Sequence, residues 1–145
     1  MKYPAALKAE ELSRDPEVQE SWKKDPMVQQ WVMLKSAWSP LVGGEKIVEE
    51  EYKNWPSDKP LLICHGQDDG VTNWKGSQTL IERIKQNGAA DADFKPFPEG
   101  KHEMLFEIGD VKNQVSRQLR TAQNQALLTL PFLHNSTQTP SLTGY

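Results

Sequence analysis

The sequence predicts an α/β domain organised on a parallel sheet. Three observations lead there: a short apolar run from Pro60 to His65, a second strand-like run from Ala92 to Phe97, and amphipathic helical spacing after each. Strand, helix, strand, helix is the alternation of a parallel α/β sheet.

Residues 1–55 read as an irregular helical region rich in aromatics, with Trp22, Trp31, Trp38 and Trp55. Asp15-Pro16 and Asp25-Pro26 look like helix starts, with Asp as cap and Pro in the first helical position. Behind the second, Met27, Val28, Trp31, Val32 and Leu34 follow the spacing of one buried helical stripe. The spacing predicts a further helix from Glu45 into Glu49-Glu50-Glu51, whose acidic run is a solvated face. The tryptophans, with Met27 and Met33, are expected to pack core and helices.

Residues 56–133 have a different character. Pro56-Ser57-Asp58-Lys59-Pro60 is a turn cluster, and Pro60 to His65 is a continuous apolar run stopped by Gly66. A run of that length fits a strand buried on both faces better than a helix. A polar turn spans Gln67 to Asn73. Trp74, Leu80, Ile81 and Ile84 then give a helix its apolar side, and Asn87-Gly88 ends it. Ala92 to Phe97 forms the second strand, with Phe94 and Phe97 its bulky members. After Pro98-Glu99-Gly100, a loop carries Lys101-His102-Glu103. Val111 to Leu130 has the length of a closing helix, with Val115, Leu119, Ala122, Ala126 and Leu130 on one side. Residues 134–145 are Ser/Thr/Pro-rich and expected to be disordered.

Composition narrows the function classes. The 145 residues carry 17 basic and 20 acidic side chains, evenly mixed, for a net charge of −3. Phosphate binding needs clustered Lys and Arg, so nucleic acid is not an expected partner. The mean hydropathy is −0.70, polar for an enzyme and suited either to much exposed helix surface or to a chain that leans on more protein. The single cysteine, Cys64, lies in an apolar run and forms no internal disulfide, which favours a reducing compartment. The first residues lack the pattern of a secretory signal, and no apolar run approaches the ~20 residues that span a bilayer. A soluble, cytoplasmic protein is the expectation.

Two polar sites follow the strand ends: Asp68-Asp69 after the first and His102 after the second. In open α/β sheets, functional groups collect at the carboxyl ends of strands. A histidine there acts as general base when a carboxylate holds its other ring nitrogen. His65 reads as a structural residue holding the turn at the strand end. The set His102, Glu103 and Glu107 lacks the paired histidines of a zinc protease helix, so neither metal nor cofactor is expected. The bland readings stand beside these: His102 as a solvated loop residue, and Asp69 as the acceptor of an Asx turn or helix cap.

The segment Leu61-Leu62-Ile63-Cys64-His65-Gly66-Gln67-Asp68-Asp69 resembles the acid-bearing strand and turn of the monoacylglycerol lipases and their lysophospholipase-like relatives. Phe97-Pro98-Glu99-Gly100-Lys101-His102-Glu103 is similar to that family's histidine loop. Leu12 to Val18, followed by Lys24 to Val28, resembles the stretch joining its cap to the acid strand. The resemblance implies the C-terminal portion of an α/β-hydrolase fold: a distal cap over residues 1–55, then the last two parallel strands with flanking helices. Counting three residues from Gly66, it implies Asp69 rather than Asp68 as the acid, with His102 as the histidine. It also implies a lipid ester or acylglycerol substrate and transient contact with a membrane surface.

The nucleophile departs from the pattern. That family's serine stands in Gly-x-Ser-x-Gly, and none of the serines, from Ser13 to Ser141, has both glycines. The expectation is therefore a triad's acid and histidine without their serine, inactive alone. The competing expectation is a non-catalytic interaction module. Two parallel strands leave unpaired edges, through which such a module would add a partner.

Overall fold

The computed structural model describes residues 2–4, 7–29 and 31–129. In chain order these form β1 (Lys2–Pro4), α1 (Ala9–Leu12), α2 (Pro16–Lys24), β2 (Trp31–Met33) and α3 (Leu34–Glu49). A 3₁₀ turn (Glu51–Asn54) precedes β3 (Leu61–Gly66), α4 (Trp74–Gln86) and β4 (Ala92–Phe97). A second 3₁₀ turn (Met104–Phe106) leads into α5 (Val111–Thr129). The tail expected to be disordered lies outside the described residues.

The β3–α4–β4 unit is the frame. β3 and β4 pair in parallel, Leu61 opposite Ala92 through Gly66 opposite Phe97. Side chains alternate across the pleat, and two small cores result. On one face Ile81, Ile84, Ala89 and Ala92 are buried, with Leu61, Ile63, Phe94 and Trp55 packed against them. On the other, Phe97, Val111 and Val115 gather with Cys64 and Met104. α4 thus covers one face and α5 the other. Asn73 caps α4 by accepting from Lys75 N, and Gly88 ends it at φ +104°, in the left-handed region that glycine enters without strain.

The strands are where the sequence puts them, but β3 is less buried than expected. Leu61 to His65 are all partly exposed, because among the described residues each strand of this two-stranded sheet keeps an outer edge with no neighbour. In α5, Val111 and Val115 are buried whereas Leu119 is 42% exposed.

The first part of the chain departs further. The helix expected behind Asp25-Pro26 is absent: Asp25 opens a turn by accepting from Met27 N, and Trp31–Met33 is a strand antiparallel to Lys2–Pro4. Pairing with a distant segment overrides helical spacing here, and Met27 stands 83% exposed instead of packed. Met33 and Trp38 are likewise exposed. The Asp15-Pro16 start holds, with the Asp15 carboxylate accepting from Glu17 N. α3 begins well before Glu45 and runs through Pro40. Its end is tied to α4, where the Arg83 guanidinium meets the Val48 carbonyl and the Glu49 carboxylate. Among the described residues no helix is long and apolar enough to cross a membrane.

Candidate active site

The two loops beyond β3 and β4 meet through backbone. Gln67 N donates to Phe97 O (2.8 Å) and Asp68 N to Gly100 O (3.1 Å). The approach is so close that a Cβ on Gly66 would lie 2.1 Å from Gly100 O. Only a residue without a side chain lets the turn carrying Asp69 nest against the loop carrying His102.

Asp69 is held in a polar cradle. Its Oδ1 accepts from the backbone N–H groups of Val71 (2.7 Å) and Thr72 (2.9 Å), which is the Asx turn, and the helix cap falls to Asn73 instead. Its Oδ2 accepts from the Thr72 hydroxyl (2.7 Å) and faces His102 Nδ1 at 3.0 Å. The side chain is 2% exposed. Burial pushes its pKa up, but the hydrogen bonds from His102, Thr72 and Val71 outweigh burial and hold it at about 2. An ionised carboxylate only accepts, so His102 Nδ1 carries its proton and Nε2 presents a lone pair. Among the described residues Nε2 has no hydrogen-bond partner, and the side chain is 34% exposed. Asp68, the neighbouring carboxylate, turns away to Lys101 Nζ at 2.8 Å.

The His102 loop is anchored from below by residues 11–14. Glu103 N donates to Leu12 O (2.8 Å), and the buried Ser13 hydroxyl donates to Phe106 O (2.7 Å). Glu107, whose side chain is 0% exposed, accepts from Arg14 N (3.0 Å) and Arg14 Nε (2.9 Å). Glu107 therefore points into this anchor, away from any shared ligand set with His102. Sequence reasoning missed the anchor because its halves stand 93 positions apart.

It also missed a contact of His65. Its Nε2 lies 3.0 Å from Asp69 Oδ2 and its Nδ1 2.8 Å from Ser77 Oγ. The available signal was a histidine four residues before the acid, at the strand end. Beside His65, α3 and α4 enclose an open groove of about 700 Å³, with Leu41, Ile47, Val48, Val71 and Leu80 among its lining.

A crossover unit with an acid turn and a histidine loop at the carboxyl ends of adjacent parallel strands is part of an α/β-hydrolase. Residues 1–109 match the family described as serine aminopeptidase, S33, and the chain belongs to that family. It is similar to a monoacylglycerol lipase of Mycolicibacterium smegmatis, 31% identical over 70% of this chain and 34% of that protein. It is similar also to a monoglyceride lipase of Saccharomyces cerevisiae, 33% identical over 53% of this chain and 25% of that protein. The chain thus spans about a third or less of these relatives. A solved structure of a soluble variant of the Saccharomyces cerevisiae enzyme, in complex with a substrate analog, superposes with a TM-score of 0.72. It is 25% identical and covers 86% of this chain and 42% of its own. The monoacylglycerol lipase of Paleococcus ferrophilus shares the fold, with a TM-score of 0.69 at 22% identity over 83% of this chain and 45% of its own.

Proposed function

We propose that this chain contributes the acid and histidine of a lipid-ester serine hydrolase of the monoacylglycerol lipase type, the serine coming from sequence outside these residues. The observation that carries the reading is the 3.0 Å contact between Asp69 Oδ2 and His102 Nδ1, which leaves Nε2 as a free base. In the intact site His102 Nε2 takes the serine proton as the hydroxyl attacks the ester carbonyl, then returns it to the leaving alcohol. Asp69 holds the ring and stabilises the imidazolium; water then cleaves the acyl-enzyme with the same histidine as base. The substrate proposed is an acylglycerol ester, reached by transient contact with a membrane surface from the cytoplasm. Residues 1–55 are proposed as the distal cap and 56–133 as the end of the hydrolase core.

The test has two arms. The chain alone is expected to give no turnover of a p-nitrophenyl ester; a rate that disappears in His102→Ala would sink the claim. Fused to the serine-bearing part of the Saccharomyces cerevisiae relative, it is expected to hydrolyse a monoacylglycerol. That activity is expected to vanish in His102→Ala and survive in Asp68→Ala. A fusion equally active with and without His102 would refute the assignment.

A second reading, a non-catalytic interaction module, rests on the uncovered sheet edges and the exposed Trp38 and Leu41 of α3. Light scattering on the purified chain discriminates: a stable dimer that protects β3 amides from exchange favours the module.

A further inference from the structure

Asp69 Oδ2 is shared. Besides the Thr72 hydroxyl it faces two imidazoles at the same distance, His102 Nδ1 and His65 Nε2, each 3.0 Å away. With Oδ1 fixed by two backbone N–H groups and Oδ2 by Thr72, the carboxylate does not need His65 to hold its place. His65 is nevertheless built in with care. Its side chain is 13% exposed, and its far nitrogen meets Ser77 Oγ on the first turns of α4. The carboxylate has no proton to give, so the neutral ring carries its proton on Nε2, and the Ser77 hydroxyl donates to the bare Nδ1. That Nε2 proton is split between Asp69 Oδ2 and Thr72 Oγ1, the latter at 3.2 Å.

We propose that His65, locked by Ser77, is a positioning residue that divides the Asp69 carboxylate between two imidazoles and so limits how basic His102 becomes. This deepens the reading of Asp69 and His102 as acid and histidine, and rests on it. Each donor on Oδ2 draws charge from the oxygen that stabilises the His102 imidazolium. A histidine held too basic is already protonated near neutrality and cannot accept the serine proton, so a moderated base stays in its working form. Other charged groups stand around the pair. Lys101 is paired with Asp68, and Glu11 of α1 lies against Gly70. Glu103 follows His102 in the loop. On the α3 side Glu45 and Glu49 line the groove with His65, and Glu49 is paired with Arg83.

The experiment is an NMR pH titration of the His102 ring in the full chain. His65→Phe, which keeps the volume and removes the donor, is expected to raise the His102 pKa by about half a unit to one unit. His65→Gln, which restores an N–H near Nε2, is expected to return it to the wild-type value. Ser77→Ala, which frees the tautomer, is expected to raise it by less than His65→Phe. An unchanged or lowered His102 pKa in His65→Phe overturns the proposal. If that variant fails to fold, an unchanged value in Ser77→Ala overturns it instead. Asp69→Asn separates the two levels. It is expected to lower the His102 pKa, and a value it leaves unmoved refutes the Asp69–His102 pair itself.

Discussion

Replacing Gly66 by alanine tests whether the close approach of two loops sets the candidate site. The added Cβ would sit 2.1 Å from Gly100 O, 2.4 Å from Gly100 C and 2.7 Å from Lys101 O. All three are backbone atoms, so no side chain can swing aside. Reaching an ordinary contact means parting the backbones by roughly 1 Å, against packing that resists such shifts. Overpacking of this kind costs about 1–3 kcal/mol. The Gln67 N–Phe97 O and Asp68 N–Gly100 O bonds, lengthened by the same movement, add about 1 kcal/mol each. The total is roughly 3–5 kcal/mol, or a fall in Tm on the order of 10–15 °C for a chain of this size. Urea unfolding followed by far-ultraviolet circular dichroism measures the loss, with Gly44→Ala as control. Nothing lies within 4 Å of a Cβ at Gly44, inside α3, so that change should be neutral or stabilising by up to ~1 kcal/mol. The parting also stretches the 3.0 Å Asp69–His102 contact beyond hydrogen-bond length. An unfolding midpoint equal to that of the wild type would refute the argument.

Other expectations concern charge. Asp69 titrates at about 2 in the folded chain, below its ordinary value of 3.8, so its contribution is complete above about pH 4 and is lost as pH falls toward 2. In acid unfolding, Asp69→Asn should therefore lose about 2 kcal/mol less than the wild type between those limits; parallel acid limbs would contradict it. Glu107→Ala leaves the Arg14 amide and guanidinium facing a void and should cost about 3 kcal/mol in urea unfolding. A loss below 1 kcal/mol would mean solvent replaces the pair. Ser13→Ala strands Phe106 O and Asp15 N and should cost about 1–3 kcal/mol in the same assay.

The parts of the chain legible beforehand are those whose structure is decided nearby. Leu61 to Gly66 carries a continuous apolar run, Ala92 to Phe97 is a strand with Phe94 and Phe97 its bulky members, and the Asn87-Gly88 stop needs only the left-handed φ of Gly88. The count from Gly66 that points to Asp69 is what the resemblance implies, and Asp68 faces Lys101. What escaped depended on distant partners. Val28 and Trp31 have helical spacing, yet Trp31 sits in a strand because Pro4 lies opposite it. The helix expected from Glu45 starts earlier, at Leu34, and continues through Pro40 with its end fastened by Arg83. The Ser77–His65 contact joins a helix to a strand end across a turn, and no local pattern announces it.

The pairing of Gly66 with Phe97 has a consequence for folding. The strands emerge side by side, so the separation of Asp69 and His102 is set by strand register. Sliding β4 by one residue would carry its loop about 3.3 Å along the strand and invert which face each side chain meets. The 3.0 Å carboxylate–imidazole contact then behaves as a vernier on the sheet. The His102 ring resonance would report, from a single proton, whether the two strands have locked in their proper alignment.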